Sequence, residues 1–396
     1  MSWAIARYAV LNILICTMAF YRYFCHLHLL YIMFLRQSSL FLLVCFFTFK
    51  CIGQIPLKDS MPKKQILIFP VISRSVETDW SFGIASSATF HIAKNDTITR
   101  TSNAQGLVLY SLKKQFVAAL NGTEYFKKEH YILNEQLSYS NFPDNFWGIG
   151  KNTPDSAQEA YTFRQAYIYL HLMRHLGKRC YLGLLYEMQD LMEVKYEENG
   201  LFDKQKVAGR NPYLISGAGL SFTYDTRTEA FSPDAGTFAQ VYFNHFGRIT
   251  GSDYDYTNIV LDYRKFCRVY KKQVLALQGY FFGNVGSEVP IRSLASFGGN
   301  NSMRGFYDGR YRDKNQFVLQ GEYRVPVYGK WGIVLFGSGG DVGSTFTDFS
   351  LNGLKYSYGG GIRFALSKSE KLNLRLDYGI GQGNNDGLYF QLGEAF

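Results

Sequence analysis

Apolar and polar residues take turns along the C-terminal third of the chain. Leu372, Leu374, Leu376, Tyr378 and Ile380 point one way, while Lys371, Asn373, Arg375 and Asp377 point the other. Leu354, Tyr356, Tyr358, Ile362 and Phe364 alternate with Lys355, Ser357, Gly359, Gly361 and Arg363, and Phe317, Leu319, Tyr323 and Val325 with Gln316, Gln320, Glu322 and Arg324. A period of two is the signature of a β-strand. A half-buried soluble sheet has the same period. Here the polar face carries charges and glycines, the apolar face is rich in aromatics, and no helical pattern intervenes. Those features place hydrocarbon outside and an aqueous lumen inside. The sheet must then close on itself, because lipid cannot satisfy an open edge.

The pattern predicts fifteen strands, near 79–92, 101–113, 115–126, 129–140, 160–175, 179–192, 213–225, 236–247, 254–268, 272–283, 315–327, 331–341, 353–366, 371–380 and 386–396. Bacterial single-chain barrels have even strand numbers, so sixteen are expected, with the missing one between 141 and 212. The fold class is thus all-β, a transmembrane antiparallel β-barrel over 79–396. Pro143-Asp144-Asn145, Ser232-Pro233-Asp234 and Asn384-Asn385-Asp386-Gly387 read as turns. The last strand puts Leu388, Phe390, Leu392 and Phe396 on one face, which resembles the C-terminal signal of outer-membrane barrels.

Two apolar stretches, near 8–20 and 29–49, lie in a leader spanning 1–53. The second reads as an export signal if translation begins at Met33, with Arg36 as its basic start, Ser39 to Phe49 as its apolar stretch and cleavage near Gly53–Gln54. A helical anchor or helical hairpin over 8–49 is the alternative. Lys50 before Cys51 and Val44 before Cys45 make poor lipoprotein sites. Residues 54–78 read as a short periplasmic segment.

Composition supports a barrel: Tyr 30, Phe 33 and Gly 38 against Pro 9, with 19% charged residues. The charge is +10, and removing the leader's four basic residues leaves +6, without a basic run, so no nucleic-acid partner is expected. Outside the leader only Cys180 and Cys267 remain, and free thiols are the simpler reading although an oxidising periplasm would allow a disulfide. His171 and His175 have a helical spacing inside a strand-like run, which gives no metal geometry. No Ser/His/acid spacing or phosphate-binding glycine loop appears, so neither enzymatic activity, nor a cofactor, nor a metal is expected.

The stretch 284–314 breaks the alternation and is far longer than a hairpin needs. It contains Gly298-Gly299 and Met303-Arg304-Gly305-Phe306. This segment resembles the sixth extracellular loop of the BamA/TamA superfamily, also called bacterial surface antigens. Tyr224-Asp225-Thr226-Arg227 with Phe231-Ser232-Pro233 and Gly236, Phe69-Pro70-Val71-Ile72 before Trp80-Ser81-Phe82-Gly83, and Phe146-Trp147-Gly148-Ile149-Gly150 extend the resemblance over about residues 66–396, to short members without periplasmic repeats. It implies that the Arg304 tip folds into the lumen and pairs with acids on the following two strands, at positions matched by Glu322 and Asp341. A planar guanidinium fork suits carboxylates, so such pairing would hold the loop inside as a plug. The resemblance also implies insertion, assembly or translocation of proteins at the outer membrane, helped by a weak seam between the first and last strands. The implied partners are outer-membrane lipids, client outer-membrane proteins and a separate periplasmic subunit replacing the missing repeats. A plugged or gated pore, or a surface-exposed structural barrel, is the alternative.

Overall fold

The computed structural model of the protein describes residues 65–75, 79–92, 99–229, 232–367, 372–383 and 385–396. The leader, Met33 and the expected cleavage site lie outside the described residues. Sixteen strands form one antiparallel sheet: β1 (Gln65–Ser75), β2 (Asp79–Phe90), β3 (Ser102–Ser111), β4 (Phe116–Tyr125), β5 (Tyr131–Phe146), β6 (Glu159–Gly177), β7 (Cys180–Lys195), β8 (Tyr213–Asp225), β9 (Gly236–Phe246), β10 (Tyr256–Arg268), β11 (Val274–Val285), β14 (Asn315–Tyr328), β15 (Trp331–Gly343), β16 (Lys355–Ser367), β17 (Leu372–Gly381) and β18 (Asn385–Leu392). Each pairs with its neighbour in chain order. A two-stranded hairpin, β12 (Ala295–Phe297) with β13 (Tyr311–Asp313), lies within the long connection from β11 to β14. The two ends of the sheet, β1 and β18, come within 8 Å of each other between Cα atoms, yet no hydrogen-bonded register joins them among the described residues.

The molecule is inside out relative to a soluble protein. On alternate positions Ile84, Leu184, Leu220, Leu277, Leu319 and Leu335 are exposed. The positions between them carry buried polar groups, among them Gln189, Thr223, Gln278, Gln320 and Glu322. Burying one such apolar side chain is worth roughly 1.5–3 kcal/mol. Leaving roughly twenty of them half in water would cost on the order of 20 kcal/mol, more than the 5–15 kcal/mol that typically separates folded from unfolded chains. A lipid surround removes that cost. Among the described residues no helix is long and apolar enough to cross a membrane; the crossing elements are strands.

The sixteenth strand is β1, at the start of the sheet rather than between 141 and 212. The sheet therefore begins at Gln65, within the segment expected to be periplasmic. Pro70 hid it. Proline cannot donate to a ladder and is confined to edge strands, and β1 pairs on one side only, with Pro70 opposite Ile84. The residues between 141 and 212 lengthen existing strands instead: β5 has 16 residues, β6 has 19 and β7 has 16, whereas β17 has 10 and β18 has 8. Pro143-Asp144-Asn145 consequently lies within β5, paired to Thr162, Tyr161 and Ala160, and makes no turn. Ser232–Asp234 does lie in the connection from β8 to β9.

The chain end also differs from expectation. Leu388 is 53% exposed and Phe390 shares its parity, but β18 stops at Leu392, whose side chain lies outside the described set. Gly393, at φ 83°, bends the chain out of the strand. Phe396 therefore turns inward and is buried with Phe266, Ala276 and Ala395. It does not share the outer face.

Candidate functional site: the lumen loop and its anchors

The connection from β11 to β14 folds into the lumen, and its tip is buried. Met303 and Phe306 are fully buried and form a small core with Phe297, Tyr311, Val318 and Val342. Gly298 and Gly299 have φ of 121° and 84°. Gly305 (φ 114°) lies against the backbone of β17, so that a Cβ there would stand 2.5 Å from the Gly381 nitrogen. Across the contact, a Cβ on Gly379 would stand 2.6 Å from the Arg304 carbonyl carbon. Main chain thus touches main chain, which only paired glycines permit. The Tyr389 hydroxyl accepts from the Gly305 amide at 2.9 Å.

Arg304 is 2% exposed. Its Nη2 lies 2.5 Å from Glu322 Oε1 and its Nη1 2.5 Å from Asp377 Oδ2. Its guanidinium carbon sits 3.5 Å from the centroid of the Phe336 ring, which gives a cation a further attraction. Glu322 points inward from β14, as its parity requires, and also receives Arg324. Asp377 points inward from β17 and also pairs with Arg363, which reaches Glu394 at 2.8 Å. Arg375 donates to the Asn300 carbonyl at 3.0 Å and to Asn301 Oδ1 at 2.7 Å, both on the loop. Four buried arginines and three carboxylates thus interlock around the tip, so removing a carboxylate leaves buried positive charge without its partner.

Asp341 is not a partner of Arg304. It is fully buried, but it lies opposite Phe317, on the outward parity of β14, and is covered by other connections. Its Oδ2 accepts from Lys151 Nζ at 2.9 Å and from the Ser350 amide at 3.2 Å. The place expected for it is taken by Asp377, two strands further on. The sequence showed Asp377 only as one acid on a polar face.

A second set of anchors holds the base of the loop at the same end of the barrel. Arg292 lies 3.2 Å from Asp144, with its guanidinium 4.0 Å from the Phe163 ring centroid. The Tyr307 and Tyr161 hydroxyls also donate to Asp144, at 3.0 and 2.7 Å. Arg310 binds Asp155 at 2.6 Å and the Thr153 carbonyl at 2.7 Å. Backbone joins in, with the Gly150 amide donating to the Arg312 carbonyl at 2.8 Å. Sequence spacing could not show the pairs between the loop and the wall, because their members stand well over one hundred residues apart.

At the opposite end, where the chain terminus lies, Arg100 leaves the connection between β2 and β3. It grips Glu129, between β4 and β5, through two contacts of 2.9 Å, and reaches Asp225 at the end of β8 at 3.2 Å. Burial pushes the Glu129 carboxyl up, but the Arg100 guanidinium outweighs it and holds the group below the usual carboxylate range. Asp225 in turn holds Arg227 at 2.9 Å. His171 is buried on the lumen wall against Ser221, 2.6 Å away. Cys180 and Cys267 are free thiols.

An Omp85 superfamily domain model matches residues 82–396. Among solved structures, the chain is similar to BamA from Haemophilus ducreyi lacking POTRA domains 1-3, with 15% identity and a TM-score of 0.53 over 86% of this chain and 73% of that one. It is also similar to CdiB from Escherichia coli, with 10% identity and a TM-score of 0.58 over 84% and 63% of the two chains. For CdiB from Acinetobacter baumannii the values are 11% and 0.54 over 84% and 60%. The chain thus spans less than two thirds of either CdiB chain. At these identities the likeness is one of fold. No curated protein sequence matches.

Proposed function

The chain belongs to the Omp85 superfamily, and from that premise we propose that it works in the outer membrane as a barrel of the BamA/TamA kind, inserting or translocating other proteins. The end of the barrel from which the long loop springs then faces the cell exterior and the chain terminus faces the periplasm. The observation that carries the reading is the seam: β1 and β18 stand within 8 Å without a ladder among the described residues. A sheet edge with unpaired amides and carbonyls is a template for another strand. Fifteen continuous ladders hold the rest of the wall, so opening at the seam costs far less than opening elsewhere. On this reading the clients are other outer-membrane proteins, delivered by a separate periplasmic subunit. Depletion of the protein should lower the amounts of several other barrel proteins in the outer membrane. Unchanged amounts under full depletion would sink the proposal.

A plugged or gated pore is the second reading, favoured by the loop that fills the lumen and by the buried pairing of Arg304. Steeply increased conductance of Arg304→Ala in planar bilayers, with no effect of depletion on other barrels, would support it over the first.

A further inference from the structure

The two ends of the barrel carry different charge. At the terminus end, the connection from β4 to β5 holds exposed Lys127-Lys128, the turn from β6 to β7 holds Lys178-Arg179, the turn from β10 to β11 holds Lys271-Lys272, and the turn from β14 to β15 holds Lys330. Among the described residues of these and the remaining connections at that end, no acid is exposed. Glu229 and Asp234 are half covered, and Asp234 is already paired with Arg268 at 2.6 Å. The other end is mixed: Asp155, Glu197, Glu198, Asp253, Asp255 and Glu288 are exposed there beside its lysines.

Each basic site lies within a few residues of exposed apolar side chains. Tyr131 follows the first doublet, Leu176 and Leu182 flank the second, Val269 and Tyr270 precede the third, and Tyr328 and Trp331 bracket Lys330; all are exposed. Lys271 Nζ lies 5.0 Å from the Tyr270 ring centroid, and Lys330 Nζ lies 5.6 Å from that of Phe364. Aromatic side chains with cations just beyond them mark the depth at which hydrocarbon gives way to headgroups. Cation and apolar side chain stand together at these turns, so a phosphate attached to a hydrocarbon chain meets both halves of each site, whereas an acidic protein would match the charge alone.

We propose that this rim is a collar selecting anionic phospholipid headgroups from the periplasmic leaflet. It rests on the barrel's placement in a membrane and is independent of whether the protein handles clients. Positively charged clusters concentrate acidic lipids within about a Debye length, an attraction that salt removes.

Trp331, 52% exposed beside Lys330, reports on the lipid at this rim. The full chain is refolded into phosphatidylcholine vesicles that contain either brominated phosphatidylglycerol or brominated phosphatidylcholine at equal mole fraction. Quenching of Trp331 is the difference between the wild type and Trp331→Phe. The collar predicts at least about twofold stronger association of phosphatidylglycerol in low salt, falling toward equality near 1 M salt, where the Debye length is about 3 Å. Lys271→Gln/Lys272→Gln/Lys330→Gln should abolish the preference, and the corresponding arginine triple variant should keep it. Equal quenching by both lipids in low salt overturns the collar and leaves the rim to an acidic protein. A preference untouched by the glutamine triple variant also overturns it. Absence of quenching by either lipid would overturn the membrane placement itself, together with the collar.

Discussion

Arg304 keeps its charge in a place with almost no water, because two carboxylates and an aromatic face surround it. Removing one partner of such a buried pair costs about 3–5 kcal/mol. Glu322→Gln and Asp377→Asn should therefore each lower the temperature at which the folded, heat-modifiable band converts on gels, and charge reversal at Glu322 should lower it further. Both neutralising substitutions free the Arg304 tip and should also raise conductance, whereas Asp341→Asn breaks the Lys151 contact, leaves the tip in place and should not. Equal behaviour of all three variants would refute this assignment. The difference between the two acids was only half legible. Glu322 sits in an unbroken alternation, so its face could be read. Asp341 follows Gly337, Gly339 and Gly340, which have no side chains to mark a face, and its parity relative to the lumen stayed open. Asp377 was visible on a polar face, but nothing in the sequence ties it to an arginine 73 residues away.

At the level of whole strands, alternation marked fifteen of the sixteen, and neighbours in the chain are neighbours in the sheet even across the long connection from β11 to β14. Two elements escaped for local reasons. Proline within β1 interrupts the pattern that defines a strand, and only its place at a sheet edge makes it tolerable. The strand predicted to end at Phe396 ends at Leu392, because Gly393 releases the chain. The seam formed by these two strands gives the next prediction. Amide hydrogens of a strand laddered on one side only lack partners for half of their groups. In detergent, hydrogen exchange should be fastest in peptides from β1 and β18 and slowest in β6 and β7, each paired on both sides over most of its length. Uniform exchange around the barrel would mean that the seam is as tightly laddered as the rest.

Across the whole molecule, the Arg100 clasp ties together connections and strands distant in sheet order at the terminus end. Glu129 has its pKa depressed in the folded protein. The stability it contributes is therefore present above the ordinary carboxylate range and disappears as the pH falls through the lower, folded value. Wild-type thermal stability should fall on acidification more than that of Glu129→Gln, and the two curves should converge at the acid end. Parallel curves throughout would show that the clasp does not bear on folding. Strand length also varies around the ring. At about 3.3 Å per residue and a tilt near 45°, the 19 residues of β6 rise about 44 Å, whereas the 8 of β18 rise about 19 Å. The wall is a cup with a low lip on the side where its ends meet. A bilayer that meets this rim without leaving apolar surface uncovered must be thinner along the lip than behind it, so the surrounding lipid is itself shaped by where the chain begins and ends its circuit.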